Sequence, residues 1–184
     1  MIRSWRAIAV AGAVAVAVPA ATAGADSFTP VRLQITVTPV ARLHAPLSLT
    51  VHVSADPSVL DDRDGPMRMH VVLAGECGGT FAYTQGVVLV NKVLNPQPTT
   101  GRAYSAVVRG SGRPNAYGVQ TVCAYLDDNY ETFATDTSNQ VNVSQACTTA
   151  ASRYDKVRRK RGHKRAKAAA KRAARRACGP GVPL

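Results

Sequence analysis

Hydrophobic and polar residues alternate along much of the region from residue 31 to residue 144. The segment Val31–Val37 places apolar side chains at every second position, and Leu47–Ser54 and Met67–Ala74 repeat this pattern. Alternation with a period of two residues predicts half-buried β-strands. Segments rich in Gly, Pro, Asn and Asp separate the candidates, so we expect roughly seven to nine short strands in this region.

The other strand candidates are shorter or less regular. Weaker alternation predicts further strands at Thr80–Tyr83, Val87–Val90, Arg102–Arg109, 131–134 and 140–143, with the last two forming an edge of the sheet. The segment Gly110–Asn115 is rich in turn-forming residues and predicts a turn.

The stretch Ala116–Asp128 carries apolar residues on both of its faces. One face would show Val119, Cys123 and Tyr125, and the other Val122, Ala124 and Leu126. A strand that is covered on both faces is usually central in its sheet. We therefore expect the β region to be organised around this strand.

The number and spacing of these strands predict a Greek-key β-sandwich. The region resembles the immunoglobulin-like domains of secreted bacterial proteins in strand number, in size and in the stretch Val122-Cys123-Ala124-Tyr125-Leu126 at the penultimate strand. It departs from antibody domains because its second strand has no cysteine and its third has no Trp; the single Trp of the chain is Trp5. The resemblance therefore implies the fold without the usual disulfide between the two sheets.

The C-terminal region changes to a helical pattern. From His163 onward one stripe contains Ala166, Ala169, Ala170, Ala173 and Ala177, and Gly179-Pro180 is a stop signal. A weaker stripe at Ala151, Tyr154 and Val157 precedes it, and a capping box at Ser152–Asp155 suggests that this first helix starts late. We expect a basic α-helical hairpin that turns at Arg161–His163; the alternative is a disordered basic tail. The segment also resembles cysteine-flanked, Ala/Lys/Arg-rich C-terminal segments of exported actinobacterial proteins, which imply no particular activity.

Four cysteines suit two disulfides in an exported protein. In an immunoglobulin-like sandwich the strands next to Cys77 and around Cys123 are neighbours, so the resemblance implies a Cys77–Cys123 bond. Cys147 and Cys178 flank the basic segment and form the natural second pair. Three pairings are possible from sequence alone. Metal binding is the rival role, but no CxxC motif and no matching histidine spacing is present.

The N-terminus has the organisation of a secretory signal peptide. Arg3 and Arg6 precede the apolar run Ala7–Val18, and small residues before Ala25 suit cleavage near that residue. A membrane anchor is the alternative, but an apolar helix of this length spans only about 18 Å. The predicted division is a signal peptide at 1–25, a β-sandwich at 26–144 and a basic tail at 145–184.

The net charge of +12 is unevenly distributed along the chain. Residues 26–146 carry eight Lys or Arg against ten Asp or Glu, whereas residues 147–184 carry thirteen Lys or Arg against Asp155 alone. Such asymmetry is typical of a chain whose tail meets a polyanion. The residues assigned to this binding are Arg158, Arg159, Lys160, Arg161, Lys164, Arg165, Lys167, Lys171, Arg172, Arg175 and Arg176.

The sequence predicts an exported, non-enzymatic binding or structural module in the cell envelope or outside the cell. The tail would attach to an anionic cell-wall polymer, an acidic glycan or a membrane surface. Non-specific binding of extracellular nucleic acid is the alternative. Base stacking would contribute little to it, because the tail sequence has only one aromatic residue, Tyr154.

Candidate chemistry is sparse elsewhere in the chain. No catalytic motif, cofactor or small-molecule substrate is inferred, and His52 and His70 are expected to point to solvent. A weak calcium candidate lies at Asp61, Asp62 and Asp64, where carboxylates cluster without a complete calcium-loop spacing.

Overall fold

The computed structural model of the protein describes residues 31–56, 66–94, 104–128 and 132–184. Within these ranges the chain forms eight β-strands followed by two α-helices. The strands are β1 (Val31–Val37), β2 (Val40–Ala41), β3 (Leu47–Ala55), β4 (Met67–Ala74), β5 (Gly86–Leu94), β6 (Tyr104–Gly112), β7 (Gly118–Asp127) and β8 (Thr132–Val143), and the helices are α1 (Gln145–Arg158) and α2 (Lys164–Cys178). The predicted signal peptide and the calcium candidate lie outside the described residues.

The strands form two sheets. The first has the order β1-β3-β6 and the second the order β2-β8-β7-β4-β5. All neighbours are antiparallel except β2, a two-residue strand that pairs in parallel with β8 at the edge of the second sheet. The strand β7 is therefore central in its sheet, as its apolar faces predict. The strand β8 is continuous and internal, so the predicted edge formed by two short segments is wrong.

The two sheets share one hydrophobic core, which makes the strand region a mainly β, two-layered body. Alternate residues of β3 meet alternate residues of β4 and β7 there, and Val51, Met69, Val71, Val122 and Leu126 are completely or almost completely buried. These are the positions at which the alternation predicts inward-facing side chains. We call residues 31–143 the β body.

The outer face of the second sheet is partly covered, as the apolar residues on both faces of β7 predict, but the burial of His70 on this face is not predicted. Residues 75–85 fold over β4 and β7, and the bond between Cys77 and Cys123 holds them there. His70 is consequently buried, not directed to solvent; its ring stacks on Phe81 at 3.9 Å between centroids. His52 is exposed, as predicted.

A hydroxyl pair joins this covering segment to the central strand. The hydroxyl groups of Thr84 and Tyr125 lie 2.6 Å apart, and Tyr125 Oη donates to the carbonyl oxygen of Gly78 at 2.8 Å. The backbone N–H of Gly78 donates to Thr84 Oγ1 at 2.9 Å. The buried phenol thus has polar partners, which a buried tyrosine hydroxyl requires.

Two further local predictions are wrong. The residues Phe81–Tyr83 form a single 3₁₀ turn where a short strand is predicted. The predicted turn at Gly110–Asn115 begins late, because β6 continues to Gly112. A Cβ atom at Gly110 would lie 2.6 Å from the carbonyl oxygen of Leu89 in β5, so this glycine permits close contact between the two sheets.

Candidate polyanion-binding surface on the helix pair

Local signals fix the two ends of α1. The hydroxyl of Ser144 accepts a hydrogen bond from the backbone N–H of Cys147 at 3.1 Å, which makes Ser144 the N-cap. The helix therefore starts directly after β8, and the late start predicted from a capping box at Ser152 is wrong. It ends before a connecting segment, 159–163, in which Gly162 has a φ of +86°. Positive φ suits glycine.

The second helix, α2, ends at Cys178 and is capped by Gly179, whose φ is +76° and whose N–H donates to the carbonyl oxygen of Arg175 at 2.9 Å. A glycine in this position is a common helix stop. The two helices pack against each other, and the bond between Cys147 and Cys178 joins the start of α1 to the end of α2. We call residues 145–178 the helix pair.

The packed face of α2 differs from the predicted alanine stripe. Ala174 and Cys178 are buried and Ala170 and Ala177 are half-buried, whereas Ala166, Ala169 and Ala173 of the predicted stripe are exposed. The face that turns inward is thus the one that contains the cysteine. On α1 the predicted positions are correct: Ala151 is buried, and Tyr154 and Val157 are half-buried.

The helix pair is docked on the β body through Arg42. The Nη2 atom of Arg42 donates to Asp155 Oδ2 at 3.0 Å, and Nη1 donates to the carbonyl oxygen of Pro183 at 3.2 Å. The Thr148 hydroxyl also accepts from the backbone N–H of Leu43 at 2.9 Å. One arginine of the β body therefore holds both α1 and the chain that follows α2.

The cations assigned from sequence lie on the outside of this structure. Lys167 is half-buried and the other ten are exposed: Arg158, Arg159, Lys160, Arg161, Lys164, Arg165, Lys171, Arg172, Arg175 and Arg176. Arg158 Nε lies 3.0 Å from Asp155 Oδ1, and Asp155 is the single Asp or Glu residue in the sequence from 145 to 184. The surface is therefore strongly positive.

The positive charge is densest where the two helices connect. Six of these cations fall between Arg158 and Arg165, at the C-terminal end of α1 and the N-terminal end of α2. Cations are favourable at the first of these ends and unfavourable at the second, where the N–H groups of α2 already carry partial positive charge. Neutralisation by an external anion would relieve this repulsion.

Within the described ranges, the structure shows no metal centre and no membrane-spanning helix. No group of three or more His, Cys, Asp or Glu residues could hold a metal ion there. No helix in this part of the chain is long and apolar enough to cross a bilayer. Two disulfides and no free cysteine are typical of an oxidising, extracellular environment.

Sequence reasoning missed the buried cluster around His70. Burial in the covered face lowers the pKa of His70, and the attraction of Asp127, whose Oδ2 lies 3.6 Å from Nε2, opposes this shift only in part. The Nδ1 atom of His70 is buried without a hydrogen-bond partner. Nothing in the alternation of β4 distinguishes this histidine from an exposed one.

No protein-family model matches the chain, and no curated protein matches it. Among solved structures, the chain is similar to the CARDB domain of the PF1109 protein from Pyrococcus furiosus, which was crystallised in complex with di-metal ions. The two share 14% identity over 62% of this chain and 87% of that chain, with a TM-score of 0.39. A likeness this distant supports nothing about the function of this protein.

Proposed function

We propose that the protein is an exported, non-enzymatic binding module whose helix pair attaches electrostatically to an anionic polymer or surface of the cell envelope. The observation that carries the proposal is that residues 147–184 hold thirteen Lys or Arg against Asp155 alone, and that all of these cations except the half-buried Lys167 are exposed. Clustered cations attract polyanions and raise the rate of encounter with them.

The folded state of the helix pair supports this function. A disordered basic tail would lose conformational entropy on binding, whereas a helix pair closed by a disulfide already presents its cations in a fixed arrangement. Docking through Arg42 also keeps these cations at a set position relative to the β body. The surface is thus prepared for an extended, regularly charged partner.

Within this proposal the β body is an immunoglobulin-like Greek-key domain that faces away from the envelope or contacts a second partner. Its described residues carry few exposed cations, so the attraction to anions comes from the helix pair. The signal peptide predicted at 1–25 supplies the route of export.

The test compares two variants that lose the same charge from different places. The helix variant replaces five cations at the connection between the helices with Gln: Arg159, Lys160, Arg161, Lys164 and Arg165. The body variant replaces five exposed cations of the β body with Gln: Arg32, Arg68, Lys92, Arg109 and Arg113. Each protein is bound to isolated cell envelopes and eluted with a salt gradient.

We expect the helix variant to elute at clearly lower salt than the unmodified protein, and the body variant to elute close to it. Equal elution of the two variants, or retention of the unmodified protein at molar salt, would contradict the proposal. A salt dependence that is steeper on DNA than on envelope polymers would instead favour nucleic-acid binding.

A further inference from the structure

A groove of about 710 Å³ lies between the helix pair and the chain that follows it. This volume falls in the range of small-molecule sites, roughly 300–1,000 Å³. Its wall on the α1 side includes Tyr154, its wall on the α2 side includes Lys171 and Arg175, and residues 179–184 close it.

Residues 179–184, which form one wall of the groove, are held in place by contacts with the helix pair and with the β body. Val182 and Leu184 pack on the buried cluster of Cys147, Ala151 and Cys178. The side chain of Arg42 donates to the carbonyl oxygen of Pro183. Gly181 has a φ of +83°, and a Cβ atom there would lie 2.9 Å from Thr38 Cγ2.

The lining of the groove combines two kinds of surface. Lys171 and Arg175 are four residues apart on α2, so both project from the same side of the helix. Val182 and Leu184 add aliphatic surface, and Tyr154 adds an aromatic face with a hydroxyl group. Two adjacent cations suit a phosphate or carboxylate group, and the apolar side chains suit a hydrocarbon portion attached to it.

We infer that this groove binds an anionic phospholipid, with the phosphate at Lys171 and Arg175 and the first part of an acyl chain along Tyr154, Val182 and Leu184. This inference deepens the proposed function and rests on it, because it names one class of anionic surface, a phospholipid membrane. A simple polyanion would use the exposed cations equally and would gain nothing from the apolar lining.

The charge-matched pair of variants is provided by α2 itself. Lys171→Ala/Arg175→Ala removes two cations from the groove, and Arg172→Ala/Arg176→Ala removes two neighbouring cations that do not line it. All four residues are exposed on a helix, and alanine is the best helix former, so both double variants should fold. Circular dichroism of each variant checks that the helix content is kept.

The primary measurement is titration calorimetry with monomeric dihexanoyl phosphatidic acid and, separately, with inorganic phosphate. We expect the amphiphile to bind at least about tenfold more tightly than inorganic phosphate, because the apolar wall buries part of its chains. The groove variant should lose at least about thirtyfold in affinity for the amphiphile, as expected for two charge-assisted contacts. The matched variant should lose no more than about threefold, because charges outside the site are screened.

A second measurement uses vesicles of phosphatidylcholine and phosphatidylglycerol to test whether the lipid is taken from a membrane. We expect the groove variant to bind these vesicles more weakly than the matched variant. Equal losses in the two variants, or equal affinity for amphiphile and inorganic phosphate, would overturn the inference. In that case elution from envelopes would still decide the proposed function, since its variants leave Lys171 and Arg175 unchanged.

Discussion

The β body and the helix pair are stabilised in different ways. The β body buries Val, Leu and Met side chains from two sheets in one continuous core. The buried cluster at the open end of the helix pair consists of Cys147, Ala151 and Cys178, supported by partly buried Val40, Val182 and Leu184. Small residues bury little apolar area, so hydrophobic burial contributes far less to the second region than to the first.

The positive charges of the helix pair increase this difference in stabilisation between the two regions. The exposed cations of the helix pair repel one another, and helices of this length are marginal in water on their own. The disulfide and the contact with Arg42 offset these costs. A region that presents dense positive charge therefore depends on a cross-link and a docking contact where the β body depends on its core.

The largest expected effect comes from removing the disulfide of the helix pair. In Cys147→Ser/Cys178→Ser we expect most of the helical signal to be lost, because this bond closes a loop with a sequence separation of 31 and contributes about 3–4 kcal/mol. The β body should still unfold cooperatively. Far-UV circular dichroism at 222 nm and a thermal melt measure the two regions separately.

The matched control is Cys77→Ser/Cys123→Ser, which opens a longer loop, with a separation of 46. Chain entropy alone predicts a slightly larger loss of stability for this bond. We nevertheless expect the β body to remain folded, with a lower melting temperature, because its main core is intact. Survival of the helical signal in the first variant would show that burial, and not the cross-link, maintains the helix pair.

A smaller effect is expected from Arg42→Ala. Arg42 and Asp155 have side-chain exposures of 17% and 27%, so the substitution leaves a largely buried carboxylate with one partner fewer. We expect a loss of about 2 kcal/mol in the stability of the docked helix pair. Amide hydrogen exchange in α1 measures this loss locally.

The control for Arg42→Ala is Arg158→Ala, which removes the other cation that pairs with Asp155. Its side chain is 50% exposed, and an exposed ion pair on a helix contributes only about 0.3–0.5 kcal/mol. Equal losses in the two variants would mean that the charge of Asp155, and not docking to the β body, controls α1.

The sequence predicts the strands of the β body well where buried and exposed side chains alternate along the strand. The bounds of β1 and β4 agree with the alternation, and the central place of β7 follows from its two apolar faces. Prediction fails where a neighbouring segment folds back over the strand and changes the environment of its side chains. His70 appears outward-facing in the pattern of β4, but residues 75–85 cover it, and that cover depends on a disulfide to β7.

The helix pair shows a different limit of sequence reasoning. The expected helical hairpin, its connection near Gly162 and the expected pairing of Cys147 with Cys178 are all present in the structure, although the sequence also allowed a disordered tail and other cysteine pairings. The buried face of α2 cannot be predicted from the sequence, because alanines occur around much of the helix and do not single out one face for burial. The position of Cys178 selects the face, and Ala166 and Ala173 remain exposed. The groove is likewise invisible in sequence, since its far wall depends on how residues 179–184 return to Arg42.

The smallest expected effect concerns pH and the covered face of the β body. Burial lowers the pKa of His70 below its usual value of about 6.5; Asp127 on β7 opposes this shift, and Arg68 on β4 adds to it. Because the unfolded chain takes up this proton more readily, the stability contributed by neutral His70 is complete above about pH 6.5 and is lost as the pH falls towards the lowered pKa.

The measurement is the melting temperature of the β body at pH 8 and at pH 5.5, for the unmodified protein and for His70→Gln. We expect the unmodified protein to lose more stability between these two conditions than the variant, which has no titrating group beside Phe81. The variant should be less stable at pH 8, since it loses the stacked ring. An identical pH dependence in the two proteins would show that residues 75–85 do not shield His70 from water, and that the covered face is less firmly closed than the core on the opposite side of the same sheet.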